Sequence, residues 1–152
     1  MSTVEKIDKR LLKTYLTLKR AMVTLSPYVQ EMEIKSDERG IFITGVIYVG
    51  MDSFTVTIKP DRMLRRVTDE LVKKEPAMIG GRISVDDVKL CLAALYSPLG
   101  QLTEHISEIR RVTGLFKSEK IRRFIVWRRI KAKELKDGKL KTKRTGRKRA
   151  RA

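Results

Sequence analysis

The chain has a single cysteine, Cys91, and a single histidine, His105. No disulfide can close within it, which points to an intracellular setting. One thiolate and one imidazole do not make a zinc site of the usual kind, so neither a metal nor another cofactor is expected. Cys91 lies between Leu90 and Leu92 and reads as a small buried hydrophobe. Aromatic residues are scarce, at 6%. No apolar run approaches the roughly 20 residues of a membrane-spanning helix. Charges at Glu5, Lys6, Asp8, Lys9 and Arg10 leave no apolar stretch for a signal peptide.

Catalytic patterns are equally thin. Gly80-Gly81-Arg82 is too short for a phosphate-cradling loop. Glu33-Ile34-Lys35 imitates the E-x-K of metal-dependent nucleases, but no acidic residue stands on a preceding strand to share a metal. Asp52 and Asp61 read as turn and cap residues. Glu104 and His105 have no nucleophile at a telling spacing, so no catalytic residue is assigned and the chain is not expected to be an enzyme.

What the chain has in excess is positive charge, and it sits at one end. The net charge is +17 over 152 residues. The 36 residues from Lys117 to Ala152 hold 17 Lys and Arg against Glu119, Glu134 and Asp137, a net of +14. The first 116 residues hold 18 basic and 15 acidic residues, a net of +3. A near-balanced body with one cationic end concentrates its field in one place and suits a polyanion. The charged content of 35% also fits an ion-pair-rich surface of the kind found in hot environments.

The spacing predicts a helix over 4–25, with Val4, Ile7, Leu11, Leu18, Met22 and Leu25 on one stripe widened by Leu12, Tyr15 and Leu16. Ser2 or Thr3 can cap it, and Ser26-Pro27 ends it. Leu11, Leu18 and Leu25, seven apart, suit a second copy as well as the body, so a homo-oligomer through this helix is an open expectation. Residues 29–59 read as a three-stranded antiparallel meander with turns at 36–40 and 50–53. Its second strand, Ile41 to Val49, is almost continuously apolar and should be central and covered on both faces. A helix over 62–74 should stop at Glu75-Pro76. Ser84, with Asp87 three residues on, starts another and is close to a capping box. A fourth helix, 101–113, buries Leu102, Ile106 and Ile109, with Gly114 placed as its terminating glycine.

Residues 118–133 read as a fifth helix, capped by Ser118 and with Ile121, Phe124, Ile125, Trp127 and Ile130 on its apolar side. A strand competes, because Phe124-Ile125-Val126-Trp127 is β-prone and Asp137-Gly138 is a hairpin signal. The fold class is therefore α+β: an N-terminal helix, a three-stranded meander, then a helical half with a basic tail. Residues 1–133 form one compact domain. Residues 134–152 form a low-complexity tail that cannot bury enough surface to order itself alone.

The cationic end carries the functional reading. Lys117, Lys120, Arg122, Arg123, Arg128, Arg129, Lys131 and Lys133 would neutralise phosphates, followed by the tail cations Lys136, Lys139, Lys141, Lys143, Arg144, Arg147, Lys148, Arg149 and Arg151. An exposed Trp127 would stack on an unpaired base. The expectation is a non-enzymatic nucleic-acid-binding protein with a structural or assembly role, such as a ribonucleoprotein or nucleocapsid component, its partner DNA or RNA. The alternative is a structural protein of viral matrix type, whose basic end lies on an anionic membrane surface. Residues 102–113 and 118–133, joined through Gly114, also resemble the helix-turn-helix family over about 30 residues, which implies a DNA-binding regulator. Two positions depart from that pattern: Arg110 stands where a small residue is wanted, and Ile121 falls one place late. In a eukaryotic host or its virus, residues 141–149 would also serve as a nuclear localisation cluster.

Overall fold

The computed structural model describes residues 3–138. Helix α1 (Thr3–Leu25) leads into strands β1 (Gln30–Asp37), β2 (Gly40–Val49) and β3 (Asp52–Ile58). Helices α2 (Arg62–Ile79), α3 (Val85–Tyr96), α4 (Ile106–Val112) and α5 (Glu119–Lys136) follow, with short 3-10 turns on either side of α4. The class is α+β, as the hydrophobic periodicities indicate. Among the described residues no helix is long and apolar enough to cross a membrane.

The sheet is an antiparallel meander of order β1-β2-β3. The β1–β2 turn is two residues long, because Asp37 pairs directly with Gly40. Gly40 has φ +131°, which side-chain-bearing residues rarely adopt. Between Gln30 and Glu33 the register slips, and Glu31 takes φ +55° there. Opposite this bulge stands Gly45, where a Cβ would come within 2.5 Å of the Val29 side chain. Glycine is thus required at that point for the strands to approach.

On β2 and β3 the pairs Ile43–Ile58, Gly45–Val56 and Ile47–Phe54 are buried and share one face. The alternate residues Thr44, Val46, Tyr48, Thr55 and Thr57 are half-buried or exposed. β2 is central as expected, but only one of its faces is fully covered. The helices gather on the buried face, and sheet and helices share one hydrophobic core. α3 sits in the middle of it, touching β2, β3, α4 and α5, and is buried from Leu90 through Leu95. A fully buried Leu, Ile or Phe contributes roughly 1.5–3 kcal/mol.

β3 is an edge strand, yet its exposed side is partly occupied. Gln101 accepts the backbone N–H of Thr55 at 2.8 Å and donates to the Thr55 hydroxyl at 2.8 Å. The turn that carries Gln101 is 3-10, since Gln101 N–H bonds Pro98 and Leu102 N–H bonds Leu99. This shortens the expected 101–113 helix to Ile106–Val112 while leaving Leu102 and Ile109 buried.

Two other helices depart from the simple pattern. α2 runs through Pro76 instead of stopping before it. Its last turn is held from outside: Tyr28 Oη donates to Met78 Sδ at 3.1 Å, and Ala77 O accepts from Arg82 and Ile83. α1 is buried at Leu18, Ala21 and Leu25, but Leu11, Leu12, Tyr15 and Leu16 are 42–56% exposed. The apolar stripe is continuous in sequence, whereas the body covers only its C-terminal half.

Candidate nucleic-acid interface

α5 is the helix that the sequence leaves torn between helix and strand. The helix forms because Ser118 caps it, its hydroxyl accepting the Ile121 N–H. Glu119 stands in the first turn, where a negative charge favours the helix dipole. Ile121, Ile125 and Ala132 then fall on one stripe and are fully buried. The helix continues to Lys136, past the expected end of the compact domain at 133.

Two anchors fix α5 to the body. At its start, Glu70 on α2 accepts the Ser118 N–H at 2.8 Å and pairs with Lys74 at 3.2 Å. Lys74 is only 7% exposed, and its ammonium lies 5.8 Å from the centre of the buried Phe116 ring. Burial pushes the Glu70 carboxyl up, but the Lys74 ammonium and the Lys117 and Ser118 amides outweigh it and hold the carboxyl below its usual value. Midway along, the Arg128 guanidinium donates to Ala94 O at 2.9 Å and to Ser97 O. It thereby satisfies carbonyls at the C-terminal end of α3, and burial lowers its pKa.

The outward surface has two flanks. Lys120, Phe124, Trp127 and Lys131 stand at i, i+4, i+7 and i+11 and so line one side of the helix. Trp127 is 51% exposed, and its ring stacks on Phe124 at 5.9 Å with a 12° interplanar angle. Lys131 Nζ lies 6.0 Å from the indole centre and 3.5 Å from Glu134. Arg122, Arg129, Lys133 and Lys136 form the other side, by the same helical spacing.

The expected phosphate contacts fall into three groups. Lys117, Lys120, Arg122 and Arg129 have no carboxylate within 4 Å among the described residues. Arg123, Lys131, Lys133 and Lys136 pair with Glu119, Glu134, Asp137 and Glu104, on exposed or half-exposed side chains where such pairs contribute little and exchange readily. Arg128 is the third group, turned inward to backbone carbonyls. Lys139, Lys141, Lys143, Arg144, Arg147, Lys148, Arg149 and Arg151 lie outside the described residues, as do the tail's expected disorder and the 141–149 localisation cluster.

Phe124 was legible only as an inward residue; its spacing of three from Trp127 was the available sign that the rings would meet. The α4–α5 pair has a seven-residue first helix, with Arg110 exposed, Ile121 buried and Gly114 within a 3-10 turn. Cys91 is buried, as its leucine neighbours suggest, and its thiol donates to Val112 O at 3.3 Å. Among the described residues no group of three or more His, Cys, Asp or Glu could hold a metal ion. Comparison with known families, curated proteins and solved structures returns no match.

Proposed function

We propose that this protein binds nucleic acid without catalysing a reaction, through the exposed side of α5 and the cationic chain that follows it. The observation that carries the proposal is the surface of α5. Lys120 and Lys131 share one flank with an exposed Trp127 already stacked on Phe124, and Arg122 and Arg129, which have no carboxylate partner among the described residues, line the other. Phosphates draw the cations, and a stacked indole face is a platform for an unpaired base. The rigid anchoring of α5 at Glu70 and Arg128 preorganises that surface. The role is structural or assembly, in a ribonucleoprotein or nucleocapsid-like particle. The exposed Leu11, Leu12, Tyr15 and Leu16 on α1 support self-association of the body, which light scattering would read as a mass above 17.6 kDa.

The test is the salt dependence of binding to a labelled oligonucleotide. With about 6–10 phosphates contacted, affinity falls roughly 10³–10⁵-fold between 50 and 200 mM salt. Deleting residues 139–152, which leaves every described helix and strand intact, flattens that slope. A truncated protein with the full slope would refute the tail's part in binding.

An anionic membrane face is the second reading, because Ile130 is 45% exposed on the same helix as Trp127. Cosedimentation with anionic liposomes and with oligonucleotides at matched salt separates the two. Preference for liposomes overturns the nucleic-acid assignment.

A further inference from the structure

Helix α1 carries a second apolar line besides the one it buries. Leu18, Ala21 and Leu25 are the positions it turns into the body. Lys19 follows Leu18 directly and so stands about 100° further round the helix. Leu12, Tyr15, Leu16 and Val23 fall on the same side as Lys19, seven, four and three residues before it and four after. All four are exposed, Val23 at 74%. This is not the Leu11-Leu18-Leu25 line of the heptad spacing, whose last two members the body has taken. At the Val23 end the apolar surface widens. Val23 shares a depression of about 430 Å³ with Val72, Ile79 and Val85, which are exposed as well. Exposed apolar side chains gathered in one place mark an interaction surface.

One group on the line is charged. The Lys19 ammonium lies 5.8 Å from the centre of the Tyr15 ring and has no carboxylate within 4 Å among the described residues. A cation in the middle of an apolar contact is costly unless it meets an opposite charge. The same helix supplies one. Asp8 stands four residues before Leu12 and eleven before Lys19, about three turns along α1.

The order of residues is self-complementary. Counted outward from the midpoint between Lys13 and Thr14, Leu12 answers Tyr15, Leu11 answers Leu16, Asp8 answers Lys19 and Val4 answers Val23. Apolar positions match apolar positions, and the acid matches the base. Two antiparallel copies with a two-fold axis at that midpoint set each residue against its counterpart. A parallel pair would instead bring Asp8 to Asp8 and Lys19 to Lys19, repulsive at both points.

We propose that two copies of this chain pair through α1, antiparallel about a two-fold axis between residues 13 and 14, with Asp8 of each copy against Lys19 of the other. Leu12, Tyr15 and Leu16 form the apolar centre. The depression beside Val23 lies where the second copy's helix begins. Leu18, Ala21 and Leu25 stay in the body, so neither copy gives up core to make the contact. An isologous contact of this kind closes at two copies. The proposal rests on the self-association reading of α1, to which it adds the partner, the axis and the charges that set the register, and it is independent of the nucleic-acid reading of α5.

The test is sedimentation equilibrium of the full chain without nucleic acid. Wild type should give twice the 17.6 kDa of one chain. Asp8→Lys and Lys19→Glu, each alone, place like charges together at both points and should weaken the dimer about 10–100-fold. The double variant reverses both pairs and should restore association. An equimolar mixture of the two single variants should restore it too, because one copy then carries only bases at these points and the other only acids. A misfolded variant cannot give that rescue. If wild type self-associates and the single variants do so equally, or if neither the double variant nor the mixture recovers, the antiparallel α1 pair is refuted and self-association through another surface stands. If wild type stays monomeric, both fall together.

Discussion

The Glu70 carboxylate on α2 accepts the backbone N–H of Ser118, the residue that caps α5, at 2.8 Å. One side chain thus fixes where the cationic helix begins. Glu70→Ala would leave the Lys74 ammonium buried without its counter-charge, a change that costs about 3–5 kcal/mol. Glu70→Gln should cost less, because it retains an acceptor for Ser118. The pH dependence has a definite sign. A carboxyl held below its usual value binds its proton less readily folded than unfolded. Its stabilisation is present at neutral pH and is lost as pH falls below about 4. Denaturant midpoints of wild type and Glu70→Ala should differ most at pH 7 and converge in acid.

Arg128 and Arg122 are both arginines of α5, but they should fail in opposite assays. Arg128→Ala unpairs the carbonyls of Ala94 and Ser97 and should lower stability by about 1–3 kcal/mol. Its salt slope for nucleic acid should stay near that of wild type. Arg122→Ala should leave the melting temperature within about 1 °C and lower the slope by roughly 0.7–0.9. Paired thermal melts and salt titrations read both effects.

Trp127 is the only tryptophan, so its fluorescence reports α5 alone. Base stacking should quench it on addition of a single strand, and much less with duplex. Trp127→Ala should weaken single-strand binding by about 1–3 kcal/mol while costing little stability, since half the side chain is already exposed.

Tyr96→Phe should raise stability by about 1 kcal/mol, because it deletes a buried hydroxyl that has no partner in the free protein. A urea midpoint shifted upward confirms the hydroxyl is unmet; a downward shift shows that it is satisfied in solution.

The Cys91 thiol is pushed up to about 12 by burial and by the negative charge of Asp87. A thiol reagent at pH 8 should label the native protein no faster than it unfolds, and label it at once in denaturant. Rapid native labelling would show that the α3–α4 contact opens.

The meander and the helix starts were legible because their signals are local. Gly40 and the period of two in β3 specify turn and strand, and Asp61, Ser84 and Ser118 each accept a first-turn N–H as caps do. Asp87 was legible only by half: it stands at the capping-box position but pairs with Arg111 at 2.9 Å. The passage of α2 through Pro76 and the inward turn of Arg128 depend on residues far away in sequence. No window around those positions contains the partner that decides them. The same holds for α1, whose periodicity marks every apolar position alike, whereas only the body's reach separates Leu18 from Leu11.

The Gln101 amide sits where the next strand of a growing sheet would bond to β3. A neighbouring chain that docks there must first evict it, giving up two hydrogen bonds before gaining any. At the opposite border the Glu31 bulge breaks the straight run a template needs. At high concentration both borders of the sheet therefore resist strand-to-strand docking between molecules.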